Sequence, residues 1–528
     1  MCLRYGNRMT PAATAAPARL PRQIAFIIGN EGCERFSFYG MRNILTAFLV
    51  GWLLLDVPDE QRASDAKEIF HLFVMGVYFF PLLGGWLADR WLGKYRTILA
   101  LSLVYCVGHL LLALSETSKP GFYAGLFFIA LGSGGIKPCV STFVGDQFDQ
   151  SNKHLAKMVF DAFYWIVNFG SFFASLFIPL TLDAYGPSVA FGIPGILMFV
   201  ATVILWAGRR RYVVVPPAPR DPHGFLQVTR TALLAKRVGA GRPGLALAAT
   251  SVVFGAAALG TAPRLGFVVA ACLALVIVVA GYGGGALLQL ERARGIHPDE
   301  DVEGVRAVLR LLMIFALTTP FWSLFDQKAS TWILQAREME LPGWSWFTNA
   351  AQMQALNPVL VMLLIPLNNA VVYPAVERLG FRVTPLRKMT VGLVIAGLSW
   401  IAVGMIQLAM DGGARPTILW QVLPYALLTL AEVLVSATGL EFTYSQAPAK
   451  MKGVLMSFGS LSVTVGNLWV LLVNAAVKND AVDAAIDSTG VGRLAFQMFF
   501  FAGFALVAAL VFGLYVRGYK TADHYRTA

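Results

Sequence analysis

Charge is scarce in this chain, and cysteine scarcer. Only 14% of its 528 residues are Asp, Glu, Lys or Arg, where a soluble domain carries roughly 25%. Together with 57% hydrophobic residues and a mean hydropathy of +0.63, that shortage excludes a soluble globular protein and implies a polytopic membrane protein. At about 20 residues per span, the length accommodates one large helical bundle and leaves no room for a big soluble domain beside it. The five cysteines, Cys2, Cys33, Cys106, Cys139 and Cys272, form no C-x-x-C pair, so they read as packing residues without disulfides or metal. The six histidines, His71, His109, His154, His223, His297 and His524, show no metal-ligand spacing. A nucleophile elbow, a P-loop and a dinucleotide fingerprint are missing too, which speaks against an enzyme and against nucleotide hydrolysis by this chain. No cofactor is expected. Residues 1–22 are rich in Pro, Ala and Arg and lack an apolar core, so no cleavable signal peptide is expected and the first span serves as its own membrane signal.

The charge that is present is patterned. The net charge is +12, but the Lys and Arg residues gather in the N-terminal tail and every second loop, which argues against nucleic acid. That asymmetry puts both termini in the cytoplasm. Its strongest block, Arg209, Arg210, Arg211, Arg220, Arg230, Lys236, Arg237 and Arg242, reads as a topology anchor on anionic lipid. Apolar runs of sufficient length predict an all-α membrane bundle of fourteen helices. An internal echo organises them. L-A-D-R-W-L-G-K-Y-R at residues 87–96 follows the second span, and P-A-V-E-R-L-G-F-R at 374–382 follows the tenth. Two six-helix bundles related by a parallel repeat, with two extra helices between them, satisfy that spacing. The expected divisions are a cytoplasmic tail 1–22, a first bundle 23–208, a basic linker 209–243, an inserted pair 244–290, a linker 291–305, a second bundle 306–517 and a tail 518–528. The inserted pair carries no charge except Arg264 at its turn, and a peripheral structural role is expected of it.

Charges inside spans cost at least about 2.5–3.5 kcal/mol each and mark function. Residues 31–40, E-G-C-E-R-F-S-F-Y-G, place Glu31, Glu34 and Arg35 in the first span, with Glu31, Arg35, Phe38 and Arg42 on one helical face. G-S-G-G-I-K-P-C-V at 132–140 buries Lys137, and Glu432 is its candidate counter-charge. Both lie roughly 24 Å into inward-running helices at 1.5 Å per residue, so they are expected to face each other across a cavity. Arg42 and Asp326 sit at matching depth near the outer ends of two outward-running helices and are expected to pair there. Tyr39, Tyr78, Asn168, Asn357 and Trp469 are amphipathic groups suited to amide ligands. Cations at one end of a cavity and a carboxylate at the other suit a zwitterion. Membrane carboxylates beside basic groups bind and release protons, so a proton gradient is the economical energy source.

These residues resemble the proton-dependent oligopeptide transporters of the major facilitator superfamily. The first-span pattern E-x-x-E-R-F-x-Y-Y is matched by Glu31, Glu34, Arg35, Phe36, Phe38 and Tyr39. F-Y-x-x-x-N-x-G is matched by Phe163, Tyr164, Asn168 and Gly170, and residues 85–90 are similar to the superfamily loop motif G-x-x-A-D-R. The inserted pair resembles bacterial members. The resemblance implies symport of di- and tripeptides with protons by alternating access, in the inner membrane, as a monomer. It implies proton coupling at Glu31, Glu34, Arg35 and Lys137. It further implies peptide binding at Arg35, Tyr39, Tyr78, Lys137, Asn168, Asn357, Glu432, Ser436 and Trp469, with a gate at Arg42 and Asp326. Two departures stand out: Phe38 replaces the first Tyr of the family's pair, and Asp326 stands where Glu is common. The alternative is a proton-coupled transporter of a non-peptide solute such as nitrate, a drug or another small anion, which keeps the fold and changes the ligand.

Overall fold

A backbone inside hydrocarbon must satisfy its own hydrogen bonds, and helices do so within one segment. The computed structural model describes residues 20–148, 155–217, 221–236, 241–446 and 452–519, and no strand occurs among them. The first half comprises α1 (Ile24–Phe48), α2 (Asp59–Phe79), α3 (Pro81–Leu87), α4 (Lys94–Leu114), α5 (Lys119–Gly145), α6 (Ala156–Tyr185) and α7 (Pro187–Ala207). Between the halves run α8 (Phe225–Leu234), α9 (Pro243–Leu259), α10 (Ala262–Leu265) and α11 (Phe267–Leu288). The second half comprises α12 (Asp299–Asp326), α13 (Thr331–Arg337), α14 (Leu356–Leu367), α15 (Tyr373–Arg378), α16 (Pro385–Asp411), α17 (Val422–Glu432), α18 (Thr438–Gln446), α19 (Lys452–Val477), α20 (Asp480–Asp487) and α21 (Arg493–Arg517).

Twelve helices among the described residues are long and apolar enough to cross a membrane. The expected fourteen is not confirmed by that measure. The segment α1 carries Glu31, Glu34, Arg35 and Arg42, and α9 is an apolar helix of only 17 residues. Two large apolar cores lie within the chain. One joins residues from Ile24 to Tyr212 with Ala329, and the other runs from Phe225 to Phe512. The echo seen in the sequence has a backbone counterpart. A π-helical stretch precedes each motif's glycine, at Ala88–Leu92 and Asn368–Val372, and Gly93 and Gly380 take φ of 74° and 87°, where a Cβ would be strained.

Two close approaches position the functional helices. The glycine-rich stretch of α5 lies so near α3 that a Cβ on Gly84 would fall 2.0 Å from the Gly135 carbonyl oxygen, the small-residue packing membrane helices favour. Gly170 does the same for α6 against α1, where an added Cβ would be 3.0 Å from the Gly32 carbonyl oxygen and 3.5 Å from the Arg35 Cβ. Arg264, expected as a charge within the inserted pair, is exposed at its turn. The basic linker also contains structure that its charge concealed: α8 buries Phe225, Val228, Ala232 and Leu233 against the second core.

Candidate functional site

The face of α1 read from the sequence is buried. Arg35 Nε sits 3.1 Å from Glu31 Oε1, one turn away, and donates to Glu34 Oε2. All three side chains are at least nine-tenths hidden. The other Glu34 oxygen, Oε1, is buried with no hydrogen-bond partner. Phe38 forms the floor of this cluster, with the Arg35 guanidinium 5.6 Å and the Lys137 ammonium 4.9 Å from its ring centre. Lys137 also lies 4.0 Å over Tyr78. These contacts hold a cation in a low-dielectric setting without giving it a carboxylate of its own. A cavity of about 70 Å³ opens onto Glu31, Arg35, Lys137, Ser141 and Phe163.

Among the described residues Lys137 and Glu432 form no ion pair with each other, but they share Asp326 and Arg42 as electrostatic neighbours. Lys137 has Arg35, Glu34, Arg42 and Asp326 as its electrostatic neighbours, whereas Glu432 has Lys328, Asp326 and Arg42. Glu432 is the last residue of α17 and is followed by a π-helical turn, Val433–Ala437, a deviation often found at functional sites. Its Oε2 accepts from Asn357 Nδ2 at 2.7 Å, and the same amide reaches Thr429 Oγ1 at 3.1 Å. Ser436 lies in that π turn and is half-buried. Tyr39 has Arg35, Arg42, Glu432 and Glu34 as its electrostatic neighbours.

Arg42 and Asp326 do come together, Nη2 to Oδ1 at 2.7 Å, both buried. They belong to a longer chain of contacts at the end of the bundle remote from the termini, called here the distal end. Asp326 Oδ2 accepts from Asn467 Nδ2 at 2.8 Å, Asn467 Oδ1 meets His71 Nδ1 at 2.6 Å, and His71 Nε2 meets Ser330 Oγ at 2.9 Å. The polarity is self-consistent. Asn467 Nδ2 donates twice, to Asp326 and to the Val463 carbonyl, so its oxygen accepts from His71 Nδ1–H and leaves Nε2 to accept from Ser330. Thr46 donates to the Ala329 carbonyl at 2.7 Å, Gln354 to the Asn43 carbonyl at 2.9 Å, and Lys67 to Gln497 at 2.8 Å. These bonds fasten the first half to the second at the distal end.

Two expected residues stand apart. Asn168 donates to the Tyr164 carbonyl of its own helix at 3.0 Å. Trp469 donates to Thr319 Oγ1 at 3.1 Å, packs on Phe504 and is 38% exposed, so its described contacts keep it within the second half. Cys2, His154 and His524 lie outside the described residues. Sequence reasoning missed His71, Asn467 and Lys328. The Lys328 ammonium is buried 3.4 Å over the Phe325 ring, two positions after Asp326, and its position at the end of a span was the available signal. His71 and Asn467 are 396 residues apart, and no local pattern links them.

A family model described as the POT family matches residues 95–488. The chain is similar to Peptide transporter family 1 of Drosophila melanogaster, at 33% identity over 428 residues, which cover 76% of this chain and 49% of that protein. It spans about half the length of such curated relatives. Two crystal structures match over nearly their whole length, each at 64% identity with a TM-score of 0.94 and covering 96% of this chain. One is of an auto-inhibited POT family peptide transporter, 99% covered, and the other is of the POT family transporter PepTSo, 100% covered.

Proposed function

The chain belongs to the POT family, and from that premise we propose that it carries di- and tripeptides into the cytoplasm together with protons by alternating access. Its setting is a bacterial inner membrane, with both termini cytoplasmic. A monomer suffices, because one chain holds both halves and every residue invoked. The observation that carries the reading is the buried Glu31–Glu34–Arg35 cluster beside Lys137. Two carboxylates and two cations balance there. A peptide carboxylate that binds Arg35 and Lys137 must displace Glu31 or Glu34 from the guanidinium, leaving excess negative charge in a low-dielectric site. One proton on either glutamate removes that excess, so peptide and proton are taken up together and leave together. Glu432, held by Asn357, receives the peptide's ammonium group, and Tyr39, Tyr78, Asn168 and Ser436 line the path between. Trp469 contributes through the wall it forms with Thr319. Arg42 and Asp326 close the outer gate. The gradient supplies the energy and no cofactor takes part.

The test is uptake of labelled dialanine into liposomes holding the purified protein, with and without an inward proton gradient, and with Glu34→Gln as control. Accumulation that needs the gradient and is lost in the control supports the reading. A folded wild-type protein that takes up no dialanine in either condition overturns it.

A further inference from the structure

A second cavity, of about 210 Å³, lies at the distal end, where the turn of the inserted pair meets α2 and α19. Its polar wall is Glu68, Arg264 and Lys478, and its apolar wall includes Leu265, Val269 and Leu471. Val269 and Leu471 pack with Met75 and Leu468 in a small core that joins the inserted pair to both halves. Lys478 is shared between Asp65 Oδ1 at 3.0 Å and Glu68 Oε2 at 2.9 Å. Arg264 makes no ion pair among the described residues and lies exposed at the turn.

Two features fix what such a cavity would hold. The turn ends two apolar helices, so it lies at the boundary between hydrocarbon and headgroups, and Leu259, Phe267 and Val268 beside it are exposed apolar surface for acyl chains. The charges balance, with Arg264 and Lys478 against Asp65 and Glu68. A plain anion would have to draw Lys478 from two carboxylates, and a plain cation would face Arg264. A group bearing both signs meets both demands, its phosphate on Arg264 and its ammonium on Glu68. Glu68 accepts hydrogen bonds, so an ammonium with N–H donors is better served than a quaternary one.

We propose that this cavity is a binding site for a zwitterionic phospholipid headgroup carrying a primary ammonium, of the phosphoethanolamine kind. Bound there, the lipid ties the turn of the inserted pair to α2 and α19, the helices that carry His71 and Asn467. The inserted pair thereby becomes a lipid-reading element on the seam that closes the distal end.

The full-length protein, purified in a neutral detergent, is titrated with short-chain phosphatidylethanolamine while its thermal unfolding is followed. Phosphatidylcholine, phosphatidylglycerol and inorganic phosphate serve as separate arms. Saturable stabilisation by phosphatidylethanolamine is expected, with the other three at least about tenfold weaker in half-saturating concentration. Arg264→Ala, at an exposed turn, is expected to weaken phosphatidylethanolamine by a similar factor, and Glu68→Gln to erase its advantage over phosphatidylcholine. Leu265→Trp, which fills the cavity without touching a charge, is expected to abolish the effect. Equal stabilisation by phosphatidylglycerol or inorganic phosphate overturns the zwitterion assignment. An undiminished phosphatidylethanolamine effect in Arg264→Ala or Leu265→Trp overturns the site. Neither readout depends on what the protein transports.

Discussion

Glu432 is held by a single amide. Because Asn357 Nδ2 reaches its Oε2 at 2.7 Å, a glutamine at 432 keeps that neighbour and loses only the charge. If the carboxylate holds a peptide's ammonium, Glu432→Gln loses a charge-assisted hydrogen bond, about 1.5–3 kcal/mol or roughly ten- to a hundredfold in affinity. Free dialanine should weaken by that factor in an equilibrium binding assay, and an N-acetylated analogue should barely change. Equal losses for both ligands would remove the ammonium role. Lys137 makes the converse case. It rests on the Phe38 and Tyr78 rings and balances the two glutamates without pairing with either. Lys137→Ala should fold and still exchange peptide across the membrane, yet fail to accumulate it against a gradient. Uphill uptake at the wild-type rate would take Lys137 out of the coupling. The departure at Phe38 now has a physical consequence, since an aromatic ring without a hydroxyl offers both cations a face and no competing acceptor.

At the scale of elements, α8 shows what charge concealed in the sequence and what it did not. Phe225, Val228, Ala232 and Leu233 follow the i, i+3, i+7, i+8 spacing of an amphipathic helix, but they sit within a run of basic residues read as a lipid anchor. In the structure α8 is pinned to the start of α12 by a histidine pair. His223 Nδ1 and His297 Nδ1 are 2.9 Å apart, and His297 Nε2 meets Thr231 Oγ1 at 2.9 Å. One ring must accept, so the bond survives with at most one proton gained by the pair. Burial, and then the neighbouring His223, hold His297 below the ordinary imidazole range, with Asp301 opposing. The undocked segment therefore takes up a proton at a pH where the docked one resists it. Docking is at full strength above about pH 6.5 and weakens as pH falls below it. Hydrogen exchange of the 225–234 amides, corrected for intrinsic rates, should lose protection between pH 7.5 and 5.5, and His297→Gln should flatten that profile. A flat wild-type profile would show that the pair does not hold the helix. Other elements were legible for good reason. The glycines of 132–135 and Gly170 signal close helix packing wherever they occur in an apolar run. The paired Gly93 and Gly380 signal a repeated turn. Depth along a helix placed Arg42 opposite Asp326. For Lys137 and Glu432 the same counting gives height in the membrane alone, because rise per residue says nothing of the direction a helix face takes.

For the whole molecule, the distal fastening decides how the two halves stand. Arg42, Asp326, Asn467, His71 and Ser330 come from α1, α12, α19, α2 and the turn before α13, and no two of the contacts between them are local in sequence. That is why the chain reads poorly as a line and well as a bundle: opening the distal end must break the ion pair and the ladder behind it together. Removing one partner of a buried pair costs about 3–5 kcal/mol, because the other charge is left uncompensated. Asp326→Asn should therefore favour distal opening by roughly a hundredfold or more at the lower figure. A cysteine introduced at Ser64, which touches Asn474 across the same seam at 3.2 Å, reports the change as its rate of labelling by an impermeant maleimide. The expected order is slow in the Ser64→Cys parent, fast with Asp326→Asn added, and no faster when Arg42→Gln is added as well, since the stranded charge is then gone and the two effects do not add. Additive rates would mean that Arg42 and Asp326 act independently, and an unchanged rate in Asp326→Asn would mean that the hydrogen bonds of Thr46, Gln354 and Lys67 hold the end closed without the ion pair.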